Sequence, residues 1–504
     1  MRPLLLSVLL LCLPISAQAV TYYVDDGGSN ANSGTLRAPW LTWAYAFSKS
    51  TCGDTLIVMD GRYTKEINGK FSLSKSCTPK TTYTVIAQNE RQSFLVGDGD
   101  DAVISISNSA YVTVQGLSVR DIENPSGKAH SNVMVLKSNH ITLLRLLVTH
   151  NNRSLNSHLI QLSDTTSSVL EENELYFFHR HGIILNRTTN SVVRRNYCNA
   201  RSASGIPGGY NGVSGDNGTG DDCVVVYPGD DNIIENNISD GTMLKGFSVQ
   251  ALGAGRGNRF LGNIALGPTI GLSLDVRTGS GSNYMPRDTV VENMVVINAS
   301  DTGIRSRGAR NTRCDQCMVL SSKNGLLADT VSAAPGDGVY SFFSNNSLVH
   351  GSNSGTGFYV TSQIQTWEVD SLNSFKNLRN YNPSSDTSWG THKTVDPLLG
   401  SCLVWIPDSS PMKGAGINGK DIGANILYRY ENGLLTTLPL WNPSTGEFPH
   451  GAIVKGINDV LGQSLFDVHK RLNVNSNGCS FPIGFGAEGP NPDAPSRPQN
   501  LHAS

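Results

Sequence analysis

Seven short segments decide the fold: His181-Gly-Ile-Ile-Leu-Asn186, Asp222-Cys-Val-Val-Val-Tyr227, Lys245-Gly-Phe-Ser-Val-Gln250, Ile270-Gly-Leu-Ser-Leu-Asp275, Thr302-Gly-Ile-Arg-Ser-Arg307, Asn324-Gly-Leu-Leu-Ala-Asp329 and Thr356-Gly-Phe-Tyr-Val-Thr361. Glycine usually stands second, and apolar residues then alternate with others, the period of a strand with one buried face. The starts are 41, 23, 25, 32, 22 and 32 residues apart. Most of these steps match one coil of about 20–30 residues, and the longer ones call for inserted loops.

A second motif follows the first: Ser191-Val-Val-Arg-Arg-Asn196, Asn232-Ile-Ile-Glu-Asn-Asn237, Asn258-Arg-Phe-Leu-Gly-Asn263 and Thr289-Val-Val-Glu-Asn-Met294. Asparagine after a buried strand suits a sharp bend, because it tolerates left-handed dihedrals and can bond to its equivalent in the next coil. One coil is too small to bury its own apolar face, so stacking must supply the core. A β-sandwich is the competing all-β reading, but it would want hairpin turns about every 8–12 residues. The pattern predicts a single-stranded, right-handed parallel β-helix. Pro39 to Ser48 reads as an N-terminal capping helix that would cover the sticky edge of the first strands.

Composition agrees. Of 504 residues only 16% are charged, against about 25% in an average protein, and 52 are glycine. The net charge of −2 leaves no electrostatic case for nucleic acid or an anionic membrane. Residues 1–19 read as a signal peptide: Arg2, an apolar run from Leu4 to Leu13, and Ala17-Gln-Ala19 before the cut. That run is too short to span about 30 Å of hydrocarbon, so a secreted chain with no membrane span, and a monomer, is expected. Residues 20–379 are assigned to the β-helix, 380–486 to an irregular C-terminal cap and 487–504 to a Pro-rich tail.

Removing Cys12 with the signal leaves eight cysteines, and an even number after an export signal favours disulfides. Local pairing gives 52–77, 198–223, 314–317 and 402–479 as the expected bridges. Zinc on Cys314-x-x-Cys317 is the alternative. The Asn-x-Ser/Thr triplets at Asn152, Asn186, Asn217, Asn237, Asn298 and Asn345 matter only in a glycosylating host.

Two resemblances add to this reading. Tyr22-Tyr-Val-Asp-Asp-Gly-Gly-Ser-Asn-Ala-Asn-Ser-Gly34, Ala38-Pro-Trp-Leu-Thr42 and Gly53-Asp-Thr-Leu-Ile-Val-Met-Asp-Gly-Arg-Tyr-Thr64 resemble the opening of many secreted β-helix proteins. Those include alginate and chondroitin lyases and one class of pectate lyases. Pro411 to Ala424 is similar to the closing segment of the same set. This resemblance implies the fold and leaves the reaction open. Gly218-Thr-Gly-Asp-Asp-Cys-Val-Val-Val226 resembles the Gly-Asp-Asp-Cys segment of polygalacturonases, whose two Asp residues serve inverting hydrolysis. Leu244-Lys-Gly246 stands where that family has Gly-His-Gly, and its upstream Asn-Thr-Asp is missing.

Aligned coils form ladders about 4.8 Å per step. Ile183, Val224, Phe247, Leu272, Ile304, Leu326 and Phe358 should point inward. Outward ladders should run His158, His181, Asp222, Lys245; then Ser248, Ser273, Arg305, Tyr359; then Asn186, Tyr227, Gln250, Asp275, Arg307, Asp329. Mixed charges, imidazoles and hydroxyl groups on one face suit a carbohydrate groove. The first expectation is β-elimination on an acidic, uronate-containing polysaccharide. It casts Lys245 as the base with a lowered pKa and His181 as acid or alternative base. Asp221, Asp222 and Asp275 would hold Ca2+. Arg305 and Arg307 would clamp the substrate carboxylate, with Tyr227, Gln250 and His158 lining the groove. A polygalacturonase-like hydrolase using Asp221 and Asp222, and a non-catalytic glycan-binding protein, are the alternatives. Lys245 with Asp222 as a plain ion pair, and Asp275–Arg307–Asp329 as a salt ladder, are the readings without function. The loop Arg201 to Gly220 would overhang this face.

Overall fold

The computed structural model describes residues 19–440 except 65–67, 123–129, 150–156, 201–219, 242, 252–254, 277–284, 330–339, 353, 363 and 383–389, together with 479, 481 and 485. The signal peptide up to residue 18, the expected overhanging loop, the tail, Asn152 and Asn217 therefore lie outside the described residues.

The chain is an all-β, right-handed parallel solenoid of about ten turns. Three parallel sheets run its length. The first has 13 strands, from Thr21–Val24 to Thr366–Asp370; the second 12, from Phe71–Leu73 to Arg379–Asn382; the third 13, from Gly61–Tyr63 to His392–Lys393. Each coil passes through the second, first and third sheets in turn, as His181–Asn186, Val192–Arg194 and Tyr197–Asn199 illustrate. The last strands of the second and third sheets are Arg379–Asn382 and His392–Lys393.

The repeat is explained by what each position meets. Ile183, Val224, Phe247, Leu272, Ile304, Leu326 and Phe358 pair in register and are buried. The glycine before them sits where stacked backbones approach. A Cβ on Gly246 would lie 2.7 Å from the carbonyl oxygen of Gly271, and one on Gly271 would lie 2.5 Å from that of Gly303. Cys223 replaces glycine in the Asp222 coil and bridges to Cys198 across the core.

The second motif makes the corners. Glu172, Arg195, Asn236 and Asn293 turn from the first to the third sheet with φ of 54°, 53°, 54° and 55°. The next residue forms an asparagine column. The amide N–H of Asn173 donates to Asn196 Oδ1, that of Asn196 to Asn237 Oδ1, and that of Asn237 to Asn263 Oδ1, each at 2.9 Å. A second column joins Ser191, Asn232 and Asn258 at 3.1 Å. Side-chain amides of the first column reach back to buried carbonyls, as Asn237 Nδ2 does to Val193 O at 2.8 Å. The corners thus keep their backbone groups satisfied away from water.

The helix near the start spans Trp43–Lys49, with Thr42 Oγ1 accepting from the Tyr45 amide. Trp43 is buried against Tyr63 and Phe71 at centroid distances of 5.5 and 5.1 Å. The region expected as a C-terminal cap lies along the flank. Trp405, Ile406, Met412, Ile426 and Leu440 join one apolar cluster with Leu147, Tyr197, Ile264, Met318 and Leu348 of the third sheet. The hairpin formed by Tyr428–Glu431 and Leu434–Pro439 is tied on by charge: Arg195 and Arg194 meet Glu431 at 3.0 and 2.7 Å.

Cys52–Cys77, Cys198–Cys223, Cys314–Cys317 and Cys402–Cys479 are disulfides. The third leaves no thiolate for the zinc alternative. Of the triplets, Asn237 is buried inside its column and Asn298 is exposed.

Asn237→Ala removes the acceptor for two buried donors, the amide and Nδ2 of Asn196, and the donor to Val193 O and Asn263 Oδ1. At about 1–3 kcal/mol per orphaned group, urea unfolding should show a loss of about 2–4 kcal/mol. A loss below about 0.5 kcal/mol contradicts the column's structural role.

Candidate functional site

The outer face of the second sheet brings the expected ladder together. His158 pairs in register with His181, His181 with Asp222, and Asp222 with Lys245. Asp222 is the hub. Its Oδ2 lies 3.0 Å from His181 Nδ1 and accepts from Gln250 Nε2 at 3.2 Å, while its Oδ1 accepts from Ser248 Oγ at 3.0 Å. The side chain is fully buried. Burial pushes its pKa up, yet Lys245, His181 and Ser248 outweigh it and hold Asp222 below the usual carboxylate range.

Lys245 departs from expectation. Its Nζ turns to the following coil and meets Asp275 Oδ2 at 3.2 Å. Burial lowers its pKa, but Asp222 and Asp275 hold it above the ordinary lysine value. This is the reverse of the fall that a base requires, so Lys245 acts here as a fixed cation. Asp221, one residue before the hub, is half-exposed and faces Arg180 Nε at 3.5 Å. Burial and the charge of Asp222 raise its pKa. Two adjacent carboxyls are therefore driven in opposite directions.

His158 stacks on His181 at 4.9 Å with planes 9° apart, and burial drives its pKa well down, leaving it neutral. Tyr227 Oη accepts from Arg180 at 3.1 Å and donates to Gln250 Oε1 at 3.3 Å. Neither Tyr227 nor His158 lines an open groove; both are buried.

The third ladder is in register through Asp275, Arg307 and Asp329. Its ion pairs are shared differently from the expectation. Arg305 and Arg307 both turn to Asp329 Oδ2, at 2.9 and 3.5 Å. Burial raises the pKa of Asp329 despite them. The two guanidinium groups are thus already engaged by a carboxylate of the protein. Asp221, Asp222 and Asp275 are likewise committed to Arg180, to the His181 cluster and to Lys245. Among the described residues, no three His, Cys, Asp or Glu side chains converge to hold a metal ion.

Arg180 and Ser248 are partners the sequence did not single out as site residues. Arg180 directly precedes the His181 strand, and Ser248 sits on the second outward ladder, so position along the repeat was the available signal. Buried His181 Nε2, Ser273 Oγ and Asp275 Oδ1 have no hydrogen-bond partner. Buried polar atoms left unpaired mark places where water or a ligand is needed.

Asp222→Ala strands His181, Lys245 and two hydrogen-bond donors. Urea unfolding at neutral pH should show a loss of about 3–5 kcal/mol. Folding depresses the Asp222 pKa, so its contribution is complete above about pH 4 and drains away as acid titrates the folded carboxyl. The stability gap between the native protein and Asp222→Asn should therefore narrow on acidification. A gap that widens contradicts the assignment.

No protein-family model matches this chain, and no curated protein matches it significantly in sequence. Solved structures share its general shape at low identity. Pectate lyase Pel9A is 12% identical with a TM-score of 0.42, covering 81% of this chain and 96% of its own. A PL6 family polysaccharide lyase from Pseudopedobacter saltans is 12% identical, TM-score 0.46, covering 70% and 90%. A GH136 lacto-N-biosidase from Eubacterium ramulus is 10% identical, TM-score 0.45, covering 70% and 67%. The structural neighbours are thus lyases and glycoside hydrolases built on β-helices.

Proposed function

We propose that this chain is a secreted carbohydrate-active enzyme that hydrolyses a glycosidic bond at the Asp221–Asp222 rung. One observation carries the reading: on a single rung, Asp221 is pushed toward its protonated form while Asp222 is held ionised. Opposed environments around paired carboxyls divide acid from base roles. Asp221 is half-exposed and is the proton donor to the leaving oxygen. Asp222 lies 3.0 Å from Nδ1 of the fully buried His181, whose unpartnered Nε2 takes the proton from an attacking water that must reach it with the substrate. Lys245 remains a cation and keeps Asp222 ionised.

Charge balance favours hydrolysis over elimination. Arg180, Lys245, Arg305 and Arg307 face Asp221, Asp222, Asp275 and Asp329, four cations against four acids. Among these described residues no surplus cation waits for a uronate carboxylate. Elimination on an acidic polysaccharide is the second reading, favoured by Arg305 and Arg307 lying on the same face. In that reaction the same acceptor and donor would serve.

Disulfides, and the absence among the described residues of a helix long and apolar enough to cross a membrane, are compatible with an extracellular protein.

The test is a panel of neutral glucans, xylan, pectate, alginate and chondroitin, each with and without a chelator. Hydrolysis predicts new reducing ends without ultraviolet-absorbing product. Asp221→Asn should lower kcat about 10²–10⁴-fold. With native enzyme kcat should fall as pH rises through the raised Asp221 pKa, and the variant should lose that limb. Unsaturated product abolished by the chelator selects the lyase and restores calcium. Glycan binding without turnover, equal in Asp221→Asn, selects the non-catalytic protein.

A further inference from the structure

A cavity of about 330 Å³ opens on the second sheet near the N-terminal end, lined by Lys70, Phe71, Ser72, Asp101, Ala102, Ser105 and Met134. It lies apart from the Asp222 cluster. Ser105 pairs with Met134, Met134 with Gln161, Gln161 with Ile184, and Ile184 with Val225. Three of these steps, from Met134 at the cavity's edge to Val225 on the Asp222 coil, put roughly 14 Å between the two places at about 4.8 Å each. Ile184, Val225 and Tyr227, on the His181 and Asp222 coils, form a separate buried apolar cluster on this face.

The lining has a definite chemistry. Ser72 and Ser105 stand in register on adjacent coils. Lys70 Nζ is held 2.9 Å from Asp98 and 3.4 Å from Asp101. That fixes a planar acceptor and a cation at the rim, one acid and one base among the lining residues. Met134 and Ala102 supply an apolar patch. Sites of this volume with a few convergent polar groups over apolar surface suit small ligands. A sugar has this character, with hydroxyl groups around its edge and an apolar face. With Lys70 engaged by Asp98 and Asp101, the lining offers no spare cation to a uronate.

We infer that this cavity is a second carbohydrate-binding site, taking a short segment of a neutral glycan independently of the Asp222 rung. The hydroxyls of Ser72 and Ser105 and the carboxylate of Asp101 bond the sugar edge, and the ring face rests on Met134. The site anchors the protein to a polymer whether or not the rung cleaves it.

Calorimetric titration of the full chain with cellohexaose, laminarihexaose, xylohexaose, mannohexaose and hexagalacturonate tests this. Native protein should bind at least one neutral hexasaccharide. Ser105→Trp, which fills the cavity, should weaken it at least tenfold, and Lys70→Ala, which leaves the sheet packing alone, at least threefold. Asp222→Asn should bind as native does, so loss of the proposed catalysis and loss of this site read out separately. The inference is overturned if no neutral hexasaccharide binds, if both cavity variants bind as native does, or if hexagalacturonate is preferred.

Discussion

Register between neighbouring coils is the constraint on which the structure depends. Strand side chains alternate with period two, so a slip of one residue would turn every inward position to solvent. Here the apolar column from Ile183 to Phe358 and the asparagine columns through Asn196 and Asn232 enforce the same alignment from different corners. The glycine column adds a steric demand, because a coil shifted along its axis would put a side chain where Gly271 meets Gly303. Residues 41 positions apart, His181 and Asp222, become neighbours through that alignment alone.

A solenoid made this way carries two burdens, and the chain answers both with polar groups. Corner residues occupy left-handed dihedrals that non-glycine residues rarely adopt, and the corner between the first and third sheets is shielded by the C-terminal hairpin. Alternating charge meets both. Arg145 bridges Glu90 and Glu172 at 2.8 and 3.2 Å, and Arg195 joins Glu172, Glu171 and Glu431. Buried charges persist only when so paired. Glu235, buried beneath the hairpin, accepts from the amides of Asn432 and Gly433 at 3.0 and 2.8 Å. The flank cover is thus joined to the coils by directional bonds as well as by the Trp405 cluster.

Much of this was legible in the sequence because a repeat states its own geometry. The inward set, the Asn196–Asn237–Asn263 column and the order His158–His181–Asp222–Lys245 follow from the period, while the four cysteine pairs rest on assuming local partners, which the sequence does not dictate. Side-chain choices did not follow. Register puts Lys245 beside Asp222, but its long stem reaches Asp275, and Asp222 and Asp275 together invert the expected pKa direction. Arg305 and Arg307 lie on different ladders and still share Asp329. Residues 398–440 carry no repeat, so nothing local told them to lie along the third sheet; only the match between their apolar residues and that outer face did.

The resulting face is a balanced lattice of charge around one buried carboxylate, rather than a basic trough. Its chemistry rests on Asp222 being coupled to a histidine one coil before it. A double-mutant cycle between His181→Ala and Asp222→Ala, read by urea unfolding at neutral pH, measures that coupling directly. The account predicts an interaction of at least about 1 kcal/mol, since contacting residues in one network are strongly non-additive. Effects that add to within about 0.5 kcal/mol, the behaviour of distant sites, would contradict both the register and the site built on it.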